Sequence, residues 1–304
     1  MPVRIERFSM PESETDTDQP RPLRIEQVEV PNGGFMIGQP TNAYIIGENE
    51  LIVVDPGSTE GAELVAQALA ERGDVPVRAI VLTHAHPDHA QAAVPLKRRL
   101  GVPLYLHPGN RPIMGNTLSW EEVDAELADA MVIEIDGGRL EAVLTPGHAP
   151  GHIALFEPAS GTLIAGDLVS GNGTVGIFPP HGSMLEYLDS LARARALPVT
   201  RILPGHGPAI EAGAARLDEY IEHRIQRERQ VYEEVARGPR TIEEIVTDLY
   251  PDVLPQFRRA AGATVLAHLQ KLQAEGKVQP EEADQPFTTR WRAGLAAEDE
   301  VARA

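Results

Sequence analysis

Val77-Arg78-Ala79-Ile80-Val81-Leu82-Thr83-His84-Ala85-His86-Pro87-Asp88-His89 is the stretch that decides the fold. The apolar run Val77–Leu82 reads as a strand buried on both faces, the kind found in parallel sheets. Four candidate metal ligands follow directly, including three of the chain's ten histidines. Packing does not account for so many at one strand end. His84 and His86 leave an extended loop on the same side, because side chains two apart share a face. Asp88 and His89 fall on the first turn of the next helix and aim at a neighbouring point. One motif can therefore serve two metals.

Outward from this stretch, residues 23–210 alternate short β-rich runs with helical runs. Strands are expected at Leu23–Val30, Ala43–Ile46, Leu51–Val54, Pro103–Leu106, Met131–Ile135, Leu140–Leu144, Ile153–Phe156, Leu163–Ala165 and Arg201–Leu203. Helices are expected at Gly61–Arg72, Ala90–Leu100 and Met184–Ala196. Three strand–loop junctions each present one more ligand beside glycine. They are Thr145-Pro146-Gly147-His148, Ala165-Gly166-Asp167 and Pro204-Gly205-His206-Gly207. Glycine lets the backbone turn tightly next to a crowded centre.

The chain has 304 residues and no cysteine. Disulfides, thiolate ligands and a cysteine nucleophile are thereby excluded. A site of imidazole and carboxylate suits zinc, and also iron or manganese. The net charge of −18 disfavours non-specific binding to polyanions. No apolar run approaches the ~18 residues of a membrane span, so no membrane partner is expected. The polar stretch 1–22 lacks a secretory pattern and reads as an N-terminal arm, with the protein placed in the cytoplasm.

The order HxHxDH, His, Asp, His is similar to that of metallo-β-lactamase-fold hydrolases, over residues 23–210. The resemblance implies an α/β fold, a four-layer αββα sandwich with metals at the edge where two sheets meet. It implies that His84, His86 and His148 hold a first zinc, that Asp88, His89 and His206 hold a second, and that Asp167 bridges them. Asp55, in Val53-Val54-Asp55-Pro56-Gly57, matches the family's early aspartate and is expected to orient the ligand loop. A hydroxide generated on the two metals is then the expected nucleophile, with Asp88 the catalytic residue that orients it and shuttles its proton. Antibiotic-degrading members usually lack the bridging aspartate, which argues against β-lactams as the main substrate.

The tail differs in pattern. Glu211–Arg237 reads as one long connecting helix, followed by helices at Thr241–Tyr250 and Arg258–Ala274 and a hairpin of Gly276–Val278 with Pro286–Trp291. Residues 238–304 are thus expected to form a mostly helical, winged-helix-like domain. The runs Leu203–Pro208, Tyr220–Arg224 and Ala267–Val278 resemble the β-lactamase-like protein 2 group, whose animal member is regarded as an endoribonuclease on single-stranded RNA. Residues 238–304 hold 8 Lys+Arg against 11 Asp+Glu. Packing, a lid or homodimer contact is therefore preferred there over nucleic-acid contact, although Arg258, Arg259 and Lys271 are candidates for a small basic strip.

His181, after Phe178-Pro179-Pro180, is a candidate substrate-binding residue or general acid, and equally an ordinary loop histidine. His152 reads as a structural neighbour of His148. Three functions follow. The first is a dinuclear hydrolase of phosphodiester (single-stranded RNA) or acyl ester and thioester substrates. The second is a glyoxalase II-like thioesterase or lactonase. The third is an iron-dependent oxidoreductase resembling persulfide dioxygenases, disfavoured by the complete second ligand set.

Overall fold

The computed structural model describes residues 21–32 and 39–294. Most of the expected N-terminal arm therefore lies outside the described residues. In chain order the strands and helices are β1 (Ile25–Val30), β2 (Thr41–Ile46), β3 (Leu51–Val54), α1 (Gly61–Glu71), β4 (Val77–Val81), α2 (Pro87–Ala90), α3 (Ala93–Leu100), β5 (Leu104–Leu106), β6 (Ala125–Glu126), β7 (Val132–Ile135), β8 (Gly138–Leu144), β9 (Ile153–Glu157), β10 (Thr162–Gly166), α4 (Met184–Ala196), β11 (Arg201–Pro204), α5 (Gly213–Ala236), α6 (Ile242–Leu249), α7 (Arg258–Ala274), β12 (Val278–Pro280) and β13 (Trp291–Ala293).

Two mixed sheets stack face to face. One has the order β1-β2-β3-β4-β5-β6 and the other β11-β10-β9-β8-β7. In the first, β1, β2 and β3 pair antiparallel, and β3 to β6 run parallel. In the second, only β10 and β11 are parallel. Tyr44, Ile46, Ile52, Val54, Val81, Leu140, Ile153, Leu155 and Ile164 fill the space between the sheets. A second core joins the outer face of the first sheet to α1 and α3 through Val65, Leu69, Ile80, Leu82 and Leu96. A third joins the second sheet to α4 and α5 through Phe156, Leu163, Tyr187, Leu191, Leu217 and Tyr220. Helix, sheet, sheet, helix is the expected αββα order, and β2, β3, β9 and β10 are buried along their whole length because both faces are covered.

The helix expected over Ala90–Leu100 is instead two. The Ala92 N–H bonds to the Gly57 carbonyl at 3.0 Å, and the Gly57 N–H bonds to the His89 carbonyl at 3.0 Å. The tie to Gly57 diverts the backbone, so α2 is a single turn that carries Asp88 and His89. The C-terminal hairpin is also shifted along the chain, to Val278–Pro280 and Trp291–Ala293. Val278, Gln279 and Pro280 pair with Ala293, Arg292 and Trp291. Trp291, fully buried, sets that register, and its indole N–H donates to the Pro286 carbonyl at 3.0 Å.

Helix α5 is more than a connector. Its first half puts Leu217 and Tyr220 into the third core, and its second half puts Val231 and Val235 into a fourth core with α6, α7 and the hairpin. A capping box between Thr241 and Glu244 starts α6. Ala267 of α7 packs into the third core rather than the fourth one. Of the expected basic strip, Lys271 is engaged by Glu228 at 2.8 Å and by Glu275 at 2.6 Å.

Candidate metal centre

Every sequence-derived ligand candidate sits on a loop or turn at one edge of the stacked sheets. His84 and His86 follow β4, Asp88 and His89 lie on α2, His148 follows β8, Asp167 follows β10, and His206 follows β11. The structure brings these seven together. His84, His86 and His148 form one set able to hold a metal ion, and Asp88, His89 and His206 form another. Within the first, His148 Nε2 lies 2.9 Å from His86 Nδ1. Within the second, His206 Nε2 lies 3.3 Å from His89 Nε2 and 3.3 Å from Asp88 Oδ2. Asp167 spans both. Its Oδ2 is 3.4 Å from His148 Nε2, and its Oδ1 is 3.4 Å from His89 Nε2 and 3.5 Å from His206 Nε2.

The outward nitrogen of four rings is spoken for. His89 Nδ1 donates to Asp55 Oδ2 at 2.8 Å, His148 Nδ1 to the Gly176 carbonyl at 2.9 Å, and His206 Nδ1 to the Pro40 carbonyl at 3.0 Å. His84 Nδ1 lies 3.0 Å from Thr83 Oγ1, whose hydroxyl donates to Asp55 Oδ2 at 2.6 Å. Each contact fixes Nδ1 as a protonated nitrogen and turns Nε2 inward. His84 Nε2 is buried with no hydrogen-bond partner among the described residues. Buried polar atoms are normally paired. An orphan lone pair beside converging nitrogens and carboxylates fits a divalent cation, and the N/O donor set suits zinc, iron or manganese.

Asp55 also falls in a set with His84 and His89. Its carboxylate is already filled, however, because Oδ1 accepts the Thr83 N–H at 2.7 Å and Oδ2 accepts the Thr83 hydroxyl and His89 Nδ1. It orients two histidines and is not placed as a ligand. Its φ of +47° is a left-handed conformation that aspartate tolerates better than most residues.

Burial sets the electrostatics. It holds His84 well below the ordinary imidazole range and, with His148 beside it, pushes His86 down to about 3. Burial also disfavours charge on His89, but Asp167 and Asp55 outweigh it and raise that ring well above the usual value. Asp167 resists burial in the same way, and His206 and His89 hold it well below the carboxylate range. The centre thus favours positive charge near its carboxylates.

Three supports carry no sequence signal. Asn110, fully buried, accepts the Ala85 N–H at 3.0 Å and donates to the Gly151 carbonyl at 2.7 Å, tying the His84–His86 loop to the loop after His148. Asn42 Nδ2 donates to the carbonyls of Pro204 and Gly207 at 2.9 and 2.8 Å, and the Tyr44 hydroxyl donates to Pro204 at 2.7 Å, fixing the His206 turn. His181 is exposed, and no hydrogen bond or ion pair joins it to the cluster among the described residues. Its loop is tied to the turn before His148 by the Ser183 N–H, which bonds to the Gly147 carbonyl at 2.8 Å.

A four-layer sandwich with such a cluster at its edge defines a metal-dependent hydrolase. Residues 36–206 match the metallo-beta-lactamase superfamily, to which the chain belongs. Residues 241–291 match the beta-lactamase associated winged helix domain. Among curated relatives, a beta-lactamase-like protein 2 homolog of Drosophila melanogaster is 30% identical, covering 84% of this chain and 90% of its own. An atrochrysone carboxyl ACP thioesterase of Aspergillus fumigatus is 29% identical over 75% of this chain and 70% of its own. A crystal structure of a metallo-beta-lactamase family protein from Thermus thermophilus superposes with a TM-score of 0.70 at 27% identity, covering 89% of this chain and 98% of that one. No helix among the described residues is long and apolar enough to cross a membrane.

Proposed function

We propose that the chain is a dinuclear hydrolase of acyl thioesters or esters. His84, His86 and His148 would hold one divalent ion and Asp88, His89 and His206 the other, with Asp167 available to both. The observation that carries this reading is the Asp167 carboxylate, one oxygen facing each histidine set. When bound, two such ions, zinc in the first instance, acidify a shared water and polarise the substrate oxygen.

The chain's own residues do the rest. Burial opposes ionisation of Asp88, but the contact with His206 prevails and keeps its pKa below the usual carboxylate value, so it is a carboxylate at neutral pH. It belongs to the second set, where it would orient water and take up its proton. Asp55 and the Gly176 and Pro40 carbonyls hold the imidazoles in one tautomer throughout.

The thioesterase relative supports acyl substrates. The engagement of Lys271 by carboxylates and the acidic charge of the chain weigh against a polyanion such as single-stranded RNA. The test is metal content by elemental analysis of protein purified without added metal, with turnover of an acyl thioester, a lactone and a generic phosphodiester. About two zinc per chain with thioester or ester cleavage is the expected result. Phosphodiester cleavage alone would transfer the assignment to the nuclease-like alternative, and about one iron per chain would overturn the hydrolytic mechanism in favour of sulfur oxidation.

A further inference from the structure

Helices α5 and α7 reach the supports of a metal-site histidine. Gly176, whose carbonyl fixes the His148 ring at 2.9 Å, lies between Val175 and Ile177. The Val175 carbonyl accepts from Arg224 Nη2 on α5. The Ile177 N–H faces Thr264 Oγ1 on α7 at 3.5 Å, and Ala267 of the same helix shares a core with Val175 and Ile177. Arg224 also reaches the other side of the ligand. Its guanidinium carbon is 5.3 Å from the ring centre of Tyr187. Tyr187 in turn underlies the His148 turn so closely that a Cβ on Gly147 would lie 2.4 Å from its backbone.

Arg224 is 2% exposed, its Nε has no hydrogen-bond partner, and it joins no ion pair among the described residues. A buried cation without a counter-ion is a poor stabiliser, and an apolar side chain of similar volume would serve packing better. Stability alone does not explain an arginine there. We propose that Arg224 is a positioning residue for the metal centre: it pins the Val175 carbonyl and the Tyr187 ring, and so fixes the His148 imidazole between them. Helix α7 closes the same loop from its other side. The winged-helix region is then a brace for one of the two metal sets. The inference rests on the two-metal assignment above, and its consequence is selective: the set containing His148 depends on Arg224, and the set containing His206 does not.

The test uses the full chain, stripped of metal and titrated with Co2+, following the visible absorption and metal per chain. Amide hydrogen exchange over residues 173–180 is measured on the metal-free protein. In Arg224→Met one Co2+ should bind as in the parent and the other about tenfold or more weakly, the range seen when outer partners of metal ligands are lost. Arg224→Lys should recover part of the loss. Exchange at residues 175–177 should rise while β9 and β10 stay protected. In a His148→Ala background, Arg224→Met should have no further effect on the remaining ion. Unchanged Co2+ affinities in Arg224→Met, or an equal weakening of both with a general rise in exchange, would overturn the proposal. If Arg224→Met does not fold, Arg224→Gln is held to the same outcomes. A parent chain that takes up fewer than two Co2+ would sink the two-metal assignment instead, and the clamp would then stand or fall on exchange at residues 175–177.

Discussion

His152 Nε2 accepts the backbone N–H of Asp167 at 3.0 Å, so the carboxylate that spans both histidine sets is aimed from its main chain. His152 Nδ1 meets Thr145 Oγ1 at 2.8 Å, and the ring is fully buried. Burial above all, helped by His148, pushes its pKa down to about 3. At neutral pH it is an uncharged acceptor, the state this contact requires.

Replacing His152 with phenylalanine keeps the ring volume and removes the acceptor. The Asp167 N–H would be left buried and unpaired, a cost of about 1–3 kcal/mol. The expected result is a lower melting temperature of the metal-free protein together with weaker metal retention on dialysis. Full metal content at parental stability would show that Asp167 is aimed by something else.

Asp167→Ala should reduce metal content and lower turnover about a thousandfold or more, since metal-based charge stabilisation is worth several kcal/mol. Elemental analysis and thioester turnover of the same preparation check this. Near-parental turnover would remove the shared-ligand assignment.

Asp55→Asn tests an orienting role. Asparagine tolerates the left-handed φ of +47°, so the backbone is preserved. Its one acceptor oxygen cannot serve both the Thr83 N–H and the pair formed by the Thr83 hydroxyl and His89, so its NH2 is left facing a donor. Metal affinity should fall about 10- to 100-fold, and the metal-free melting temperature should fall too, because a buried donor loses its acceptor. Chelator competition measures the first and calorimetry the second.

The cluster was legible because its candidate ligands lie where β4, β8, β10 and β11 end, each beside a residue type that breaks the strand. The pattern of Val77–His89 alone placed both the parallel strand and the first four candidates. Asn42, Asn110 and Arg224 were not legible. Each acts on carbonyls or amides 25 to 165 residues away in sequence, through backbone groups that leave no residue-type signature. The break between α2 and α3 was hidden for the same reason. Its cause is the Gly57 carbonyl, which no local propensity encodes.

His181→Ala should leave metal content unchanged and turnover within about twofold. The side chain is exposed and unlinked to the cluster among the described residues, and such surface changes are usually worth less than ~0.5 kcal/mol. A large fall in kcat with intact metal loading would restore His181 as a proton donor to the leaving group.

His268 gives the second helical region a pH dependence of defined sign. It is fully buried on α7 and neither ring nitrogen has a hydrogen-bond partner. Glu228 on α5 lies 3.7 Å from Nδ1, and Arg224 on α5 and Lys271 on α7 also face the ring. Burial dominates over the pull of Glu228 and lowers the imidazole pKa. With the folded value below an unfolded one of about 6.5, the unfolded chain binds more protons in between. This contribution to stability is therefore lost as pH falls below about 6.5. Glu228, held below its ordinary 4.5 chiefly by His268 and Lys271 against the effect of burial, adds a separate loss only at more acid pH. His268→Leu should match or exceed the parent melting temperature at pH 7, because the unpaired nitrogens are gone. Its advantage should widen between pH 7 and pH 5. Melting profiles that run parallel over that interval would show that His268 does not titrate against folding.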